Sequence, residues 1–298
     1  GGDTTTASDL NNNKDGSFRV FASPFKDSIS PLTGLSFGLG GTYGNVRGQT
    51  LDTVSGSTTE LTSGYKTEGQ QTFFRYIDGG VLRSGIDNAN TLSGGPDSRW
   101  LAHADGERIR VSPQATYYNG SLGVLSEYVW QSQEVSVGST NQRKTRLEND
   151  AWQVAASYLL TGEEASFKGV KPKRNFDLGS GGWGAFEIVG RYSEQNIDDK
   201  AFTFGSLDGS DTAYSSGTTN YQNTAHYLYS DPKISASKAQ TWTAGINWYL
   251  SPQSKIALNY SQTSFNGGGG ALYSSNASAT SATNGYFADL INRGNVTD

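Results

Sequence analysis

Arginine dominates the chemistry this chain offers. Arg19, Arg108, Arg110 and Arg191, with Arg75 and Lys255, fall at positions of alternating polarity, on the polar side of each alternation. Arg108 and Arg110 stand two residues apart and so share a face of any extended segment. Like charges that close repel unless water or an anion lies between them. A guanidinium is planar and donates two parallel hydrogen bonds to an oxyanion. A row of such groups predicts a path for small anions. The competing reading is a wall salt bridge to Glu127 or Glu187, which share the polar face, Glu187 four residues before Arg191 on its own segment. The residues alone leave the two roles open.

The elements that must position these cations are strands. Glu107–Tyr118 sets Arg108, Arg110, Ser112, Gln114 and Thr116 against Ile109, Val111, Ala115 and Tyr117. Side chains of a strand alternate sides, so one face is wet and the other apolar. The same alternation predicts strands at 17–25, 32–43, 70–77, 121–134, 150–161, 182–195, 240–250 and 255–264, with a short further one near 99–103. After Tyr118 the connections alternate short and long: a tight turn at Asn119–Gly120, then 135–149, 162–181, 196–238, a tight turn at 251–254, and 266 onward. A soluble sandwich has no reason to sort its connections this way. A transmembrane barrel has short turns on one rim and long loops on the other. The fold class is therefore all-β, a transmembrane antiparallel β-barrel, with the apolar face toward lipid and the polar face toward a water-filled lumen.

Composition agrees. Of 298 residues, 34% are apolar and 12% aromatic, with 16 Tyr and 6 Trp. Low hydropathy with many Tyr and Trp fits polar inner faces and interfacial girdles. No Cys is present, which excludes disulfides, zinc–thiolate sites and a cysteine nucleophile. The net charge of −5 argues against a nucleic-acid binder. His103 and His226, placed in loops and far apart, have no metal-ligand spacing. Asp198, Asp199, Asp208, Asp211 and Asp231 lack the ordered spacing of a calcium loop. Ser and His residues form no recognisable triad, so no catalytic residue, metal or cofactor is assigned. Two basic clusters fall in connections. Arg143, Lys144 and Arg146 are placed in an outer loop, where they would collect anions, bind lipopolysaccharide phosphates or simply be solvated. Lys171, Lys173 and Arg174 are placed on the opposite rim.

Blocks of the sequence carry a family resemblance. WQVAASYLLTGEEASFKGVKP from Trp152, GGWGAFE at 181–187 and GRYS at 190–193 resemble the phosphate- and polyphosphate-selective porins of the O/P type. GERIRVSPQATYYNGSLGVLSEYV (106–129), INWYLSPQSKIALNYSQ (246–262), QTFFRY (71–76) and RVFASPF (19–25) are similar to further blocks of it. The resemblance implies a homotrimer in the bacterial outer membrane, in contact with lipid and lipopolysaccharide. Each subunit would be a barrel of about sixteen strands, passing inorganic phosphate or other small anions by diffusion. On that scale residues 1–298 read as a single barrel domain incomplete at both ends, covering roughly the C-terminal two-thirds. The constriction loop of the family belongs to the other part. An unselective general porin and a structural or surface-attachment barrel remain as alternatives.

Overall fold

The computed structural model describes residues 15–26, 31–47, 64–76, 102–137, 143–205, 215–216, 219–220, 226–232, 235–268 and 295–297. Among the described residues, nine strands form one antiparallel sheet in strict chain order. They are β1 (Gly16–Ala22), β2 (Leu35–Arg47), β3 (His103–Asn119), β4 (Leu122–Val137), β5 (Arg143–Leu159), β6 (Ala185–Asn196), β7 (Ala236–Ser251), β8 (Ser254–Gly267) and β9 (Asn295–Thr297). Among the described residues, β1 and β9 are the unpaired edges of the sheet.

Register explains the alternation. Leu122, Tyr158, Ile188, Ile246 and Leu258 form one cross-strand row. Val124, Ala156, Gly190, Ala244 and Tyr260 form the next. Directly paired residues point the same way, so these rows build one continuous apolar face. Tyr158 is 49% exposed, Ile246 50% and Leu258 75%. Five adjacent strands with exposed aliphatic and aromatic side chains make a patch far larger than a soluble monomer tolerates. Along β5 and the residue that follows it the band runs from Trp152 to Leu160, nine residues, the length a tilted strand needs to cross a bilayer. Aromatic clusters sit toward both ends of it. Trp248 stacks on Phe186 at 5.5 Å and meets Phe176 edge-on at 5.1 Å. Toward the other end Trp152 lies 5.3 Å from Tyr192, and Trp242 5.3 Å from Tyr260. Such girdles belong at membrane interfaces. The sheet is the wall of a transmembrane antiparallel β-barrel.

The two tightest turns share one end of the sheet and the three longest connections share the other, but 160–184 and 138–142 break the expected sorting by length. One end of the sheet carries Gly120–Ser121 and Pro252–Gln253 as two-residue turns, with the connections at 23–34 and 160–184. The other carries 48–102, 138–142, 197–235 and 268–294. Gly120 has φ +54°, the left-handed conformation that a tight hairpin demands. Asn119 itself still pairs with Leu122, so the turn lies one residue later than Asn119–Gly120.

Four expectations are corrected. The segment at 70–77 is not a wall strand. Thr72–Phe74 pairs instead with Tyr65–Lys66 in a small separate hairpin. Its consecutive Phe73 and Phe74, 5% and 0% exposed, cannot alternate between lipid and water and are buried on both sides. The connection at 135–149 shrinks to 138–142, because β4 and β5 run on past the membrane band. The tail from 266 is not all loop, since Asn295–Thr297 pairs with Gln262–Ser264. His103 lies in β3 and His226 in a two-residue strand, not in loops. Residues 99–101, Asp208 and Asp211 lie outside the described residues.

Candidate functional site

The polar face is built by the same register. Thr42, Arg110 and Gln131 share one row, and Gly44, Arg108 and Gln133 another. Glu127, Gln153 and Ser193 form a row with Gln114 and Thr241. Ala155, Arg191, Thr243 and Ser261 form the neighbouring one. Arg19, Arg108, Arg110, Arg191 and Lys255 thus all stand on the inner side of the wall, opposite the apolar band.

Glycines on β2 let the first strand reach the third. A Cβ at Gly44 would lie 1.8 Å from the Asp15 carboxylate oxygen. Without it, Asp15 crosses β2 and takes Arg108 at 2.8 Å. Arg19 likewise passes over the Gly38–Gly40 stretch to donate to the Gln114 side-chain oxygen at 3.5 Å. Gln114 then donates its amide to Glu127 at 2.8 Å. Glu127 also accepts from Ser112 at 2.9 Å and from Gln153 at 3.0 Å. Four strands are tied by one hydrogen-bonded chain in which an amide links a cation to an anion. Arg110 donates from Nε to Gln131 at 2.8 Å, and Gln131 passes its amide to the Tyr65 hydroxyl at 2.8 Å.

The predicted wall partners pair differently. Glu187 accepts from Asn247 and from the Tyr249 hydroxyl, both at 2.8 Å. Arg191 takes Glu68 of the small hairpin instead. The distance between them in sequence, 123 residues, hides that pair from any reading of one strand. Arg75 is exposed at the end of the hairpin. Its main chain is fixed by Ser230 at 2.7 Å and by Ser235 at 3.0 Å. It does not belong to the wall. Lys255 lies 5.7 Å from the centre of the Tyr249 ring, near the tight-turn rim.

Both ends of the inner face are covered by apolar contacts. At the loop end Phe73, Phe74 and Tyr76 pack with Val135, Val137, Leu147, Leu228 and their neighbours. At the tight-turn end Ala165 and Val170, from the 160–184 connection, pack on Leu159 and Ala185, beside Tyr118 and Tyr249. The sequence reading of a polar inner face throughout holds only between these caps. There a cavity of about 320 Å³ opens, lined among others by Arg191, Ser157, Thr243 and Asn259. A guanidinium, two hydroxyls and an amide in one concavity supply donors to an oxyanion from several directions.

The basic clusters take other roles. Arg146 donates to Glu107 at 2.8 Å and Glu134 at 3.1 Å, and Lys144 meets Glu134 at 3.0 Å. Glu134 and Arg146 pair on the outward side, in line with Trp130 and Trp152 but beyond the girdle. They form a charged collar rather than a loop patch. Lys238 and Glu194 form a separate outward pair at 2.9 Å between β6 and β7. Arg143 opens β5 and gives its carbonyl to the Tyr229 hydroxyl. On the tight-turn rim, Lys173 donates its main-chain N–H to Glu163 and Arg174 donates to the Ser180 carbonyl at 2.6 Å. Lys171 is exposed beside them. There the Ser180 hydroxyl and the Gly179 N–H hold the Asp177 carboxyl below its ordinary range.

No curated protein matches the chain. A family model described as phosphate-selective porin O and P matches residues 88–281, which contain all of β3 to β8 and with them Arg108, Arg110 and Arg191. With more than half of the sequence inside that match, and with an inward row of guanidinium groups set in a lipid-facing wall, the chain belongs to the phosphate-selective porin O and P family.

Proposed function

We propose that the protein is a channel of the bacterial outer membrane through which small anions, inorganic phosphate among them, diffuse along Arg19, Arg108, Arg110 and Arg191. The single observation that carries the reading is the cavity at Arg191, where a guanidinium, two hydroxyls and an amide stand among apolar wall residues, on the inner face between the two apolar caps. A pore needs fixed groups that attract an ion and release it, not a reaction centre. Guanidinium groups spread over several strands do this for an oxyanion better than one tight site, because each hands the ion to the next. Lys255, toward the tight-turn rim, extends the row. Channel membership speaks for transport rather than catalysis, and no residue here is given a chemical step. Assembly as a homotrimer follows from the family. Lys144, Arg146 and Lys238, outward and beyond the girdle, are the cations that would meet lipopolysaccharide phosphates.

A second reading is an unselective porin. Glu127 and Glu187 favour it, since both carboxylates face inward and the donors on them are hydroxyls and amides. Their charge opposes an anion passing nearby. Reversal potential across a planar bilayer under a potassium chloride gradient decides between the two. A potential of the sign set by chloride supports the anion path, and one near zero supports the unselective pore.

Arg108→Ala combined with Arg110→Ala is expected to lower the anion-to-cation permeability ratio severalfold. Fixed charges of that kind lining a pore set which ions enter it. The strands should stay folded, because neither side chain touches the apolar band. An unchanged ratio would remove both residues from the path.

A further inference from the structure

Arg191 differs from the other inner-face cations in what holds it. Its partner, Glu68, comes from the small hairpin and not from the wall. One Glu68 oxygen accepts from the Arg191 guanidinium, and the other accepts from the Ser193 hydroxyl at 2.9 Å. Arg191 and Ser193 are two residues apart on β6, so the carboxylate is gripped from one face of one strand.

The hairpin presents Glu68 rigidly. Thr67 and Gln71 close its turn through a main-chain bond of 2.8 Å, and Gln70 adopts φ +63° within it. Tyr65 is anchored by Gln131 and by Asn149 at 3.0 Å, Lys66 by Gln195 at 3.3 Å, and Phe74 is fully buried. Tyr65, Lys66 and Phe74 therefore fix the hairpin without help from Glu68. The tether keeps its carboxylate at high effective concentration beside the guanidinium.

To an arginine, a carboxylate and a phosphate offer the same thing, a pair of oxygens. The Arg191 guanidinium is only partly used. Its Nε is buried and has no hydrogen-bond partner among the described residues. Buried donors are nearly always satisfied, so an orphan of this kind points to an absent partner. The same guanidinium lines the cavity with Ser157, Thr243 and Asn259. The pair is also reachable, with side chains 38% and 24% exposed.

We infer that Glu68 is a tethered carboxylate that competes with the permeating anion for Arg191, and so determines how tightly the channel holds its anion. This rests on the anion-channel reading above. An anion entering the cavity displaces Glu68 from the Arg191 guanidinium, and Glu68 returns when the anion leaves. The exchange keeps the guanidinium paired throughout and weakens the site. Weak holding is what a conducting site requires.

The test is planar-bilayer conductance of the full chain in chloride, with inorganic phosphate added as competitor. Heat-modifiable gel mobility confirms that each variant is folded. Glu68→Gln should lower the phosphate concentration that halves the chloride current by about tenfold, the change that 1.4 kcal/mol of lost competition gives. Ser193→Ala, which loosens Glu68 and leaves Arg191 in place, should shift it the same way by less. In an Arg191→Gln background, Glu68→Gln should change nothing. An anion-selective wild type whose phosphate sensitivity is unmoved by both Glu68→Gln and Ser193→Ala would overturn the role of Glu68 alone. A wild type without anion preference would overturn the channel reading and this inference together.

Discussion

Ile246→Arg is expected to destabilise the folded barrel by about 2–4 kcal/mol, the cost of an arginine on the lipid face of a barrel near the bilayer midplane. Ile246 pairs with Ile188 on one side and Leu258 on the other. It lies between Trp242 and Trp248, near the middle of the apolar band. A charge there has no water and no counter-charge within reach. The control is Ala257→Arg on β8. Ala257 pairs with Asn247, which faces inward. The same side chain there stays hydrated and adds a cation to the lumen. Urea unfolding in detergent or lipid, followed by the loss of heat-modifiable mobility, measures both. The inner-face variant should unfold within about 1 kcal/mol of the parent and carry more anion current. Equal losses in the two variants would mean that both faces are buried in protein.

Phe74→Ala is expected to cost about 3–5 kcal/mol locally, the usual range for emptying a buried phenylalanine site. Phe74 is 0% exposed. It meets Tyr76 edge-on at 4.9 Å, Phe202 edge-on at 6.0 Å and Tyr65 at 5.7 Å. These contacts bring together the hairpin and the 199–202 turn, and the same cluster reaches Leu147 of the wall. Because the hairpin lies on the inner face and not in the sheet, the loss falls on it and leaves the barrel wall intact. Single-channel conductance should rise as the hairpin loosens its hold on the lumen, while the unfolding midpoint of the barrel moves little. A fall in conductance, or loss of the folded barrel itself, would show that the hairpin is a structural part of the wall.

The wall was legible in the sequence because its physics is local. Lipid on one side and water on the other force a period of two, and Trp152–Leu160 or Ile256–Tyr260 displays it residue by residue. The connections were legible where turn chemistry fixes them, as at Gly120. What folds against the inner face was not legible. Phe73 and Phe74 match the aromatic content of a strand, and only their adjacency signals burial on both sides. The site was half legible. Parity placed Arg108, Arg110 and Arg191 inward. Their partners could not be read, because Asp15 reaches Arg108 across a glycine strip and Glu68 reaches Arg191 from a distant hairpin. Pairing four residues along one strand made Glu187 look the natural mate for Arg191. Glu187 is instead occupied by Asn247 and Tyr249, on the strand next to it. The collar was misplaced for a related reason. Arg143, Lys144 and Arg146 look like loop residues by charge, yet strands that outrun the membrane carry charged side chains on both faces.

One face of this sheet touches lipid and the other touches water. The chain has no cysteine, so single cysteines can be placed along β5 from Ala151 to Tyr158 without background. In lipid vesicles, labelling by a small membrane-impermeant thiol reagent should alternate. Positions 151, 153, 155 and 157 should react, while 152, 154, 156 and 158 should be protected from it and quenched by a lipid-borne probe. Labelling without a period of two, or protection of both sets, would contradict the account.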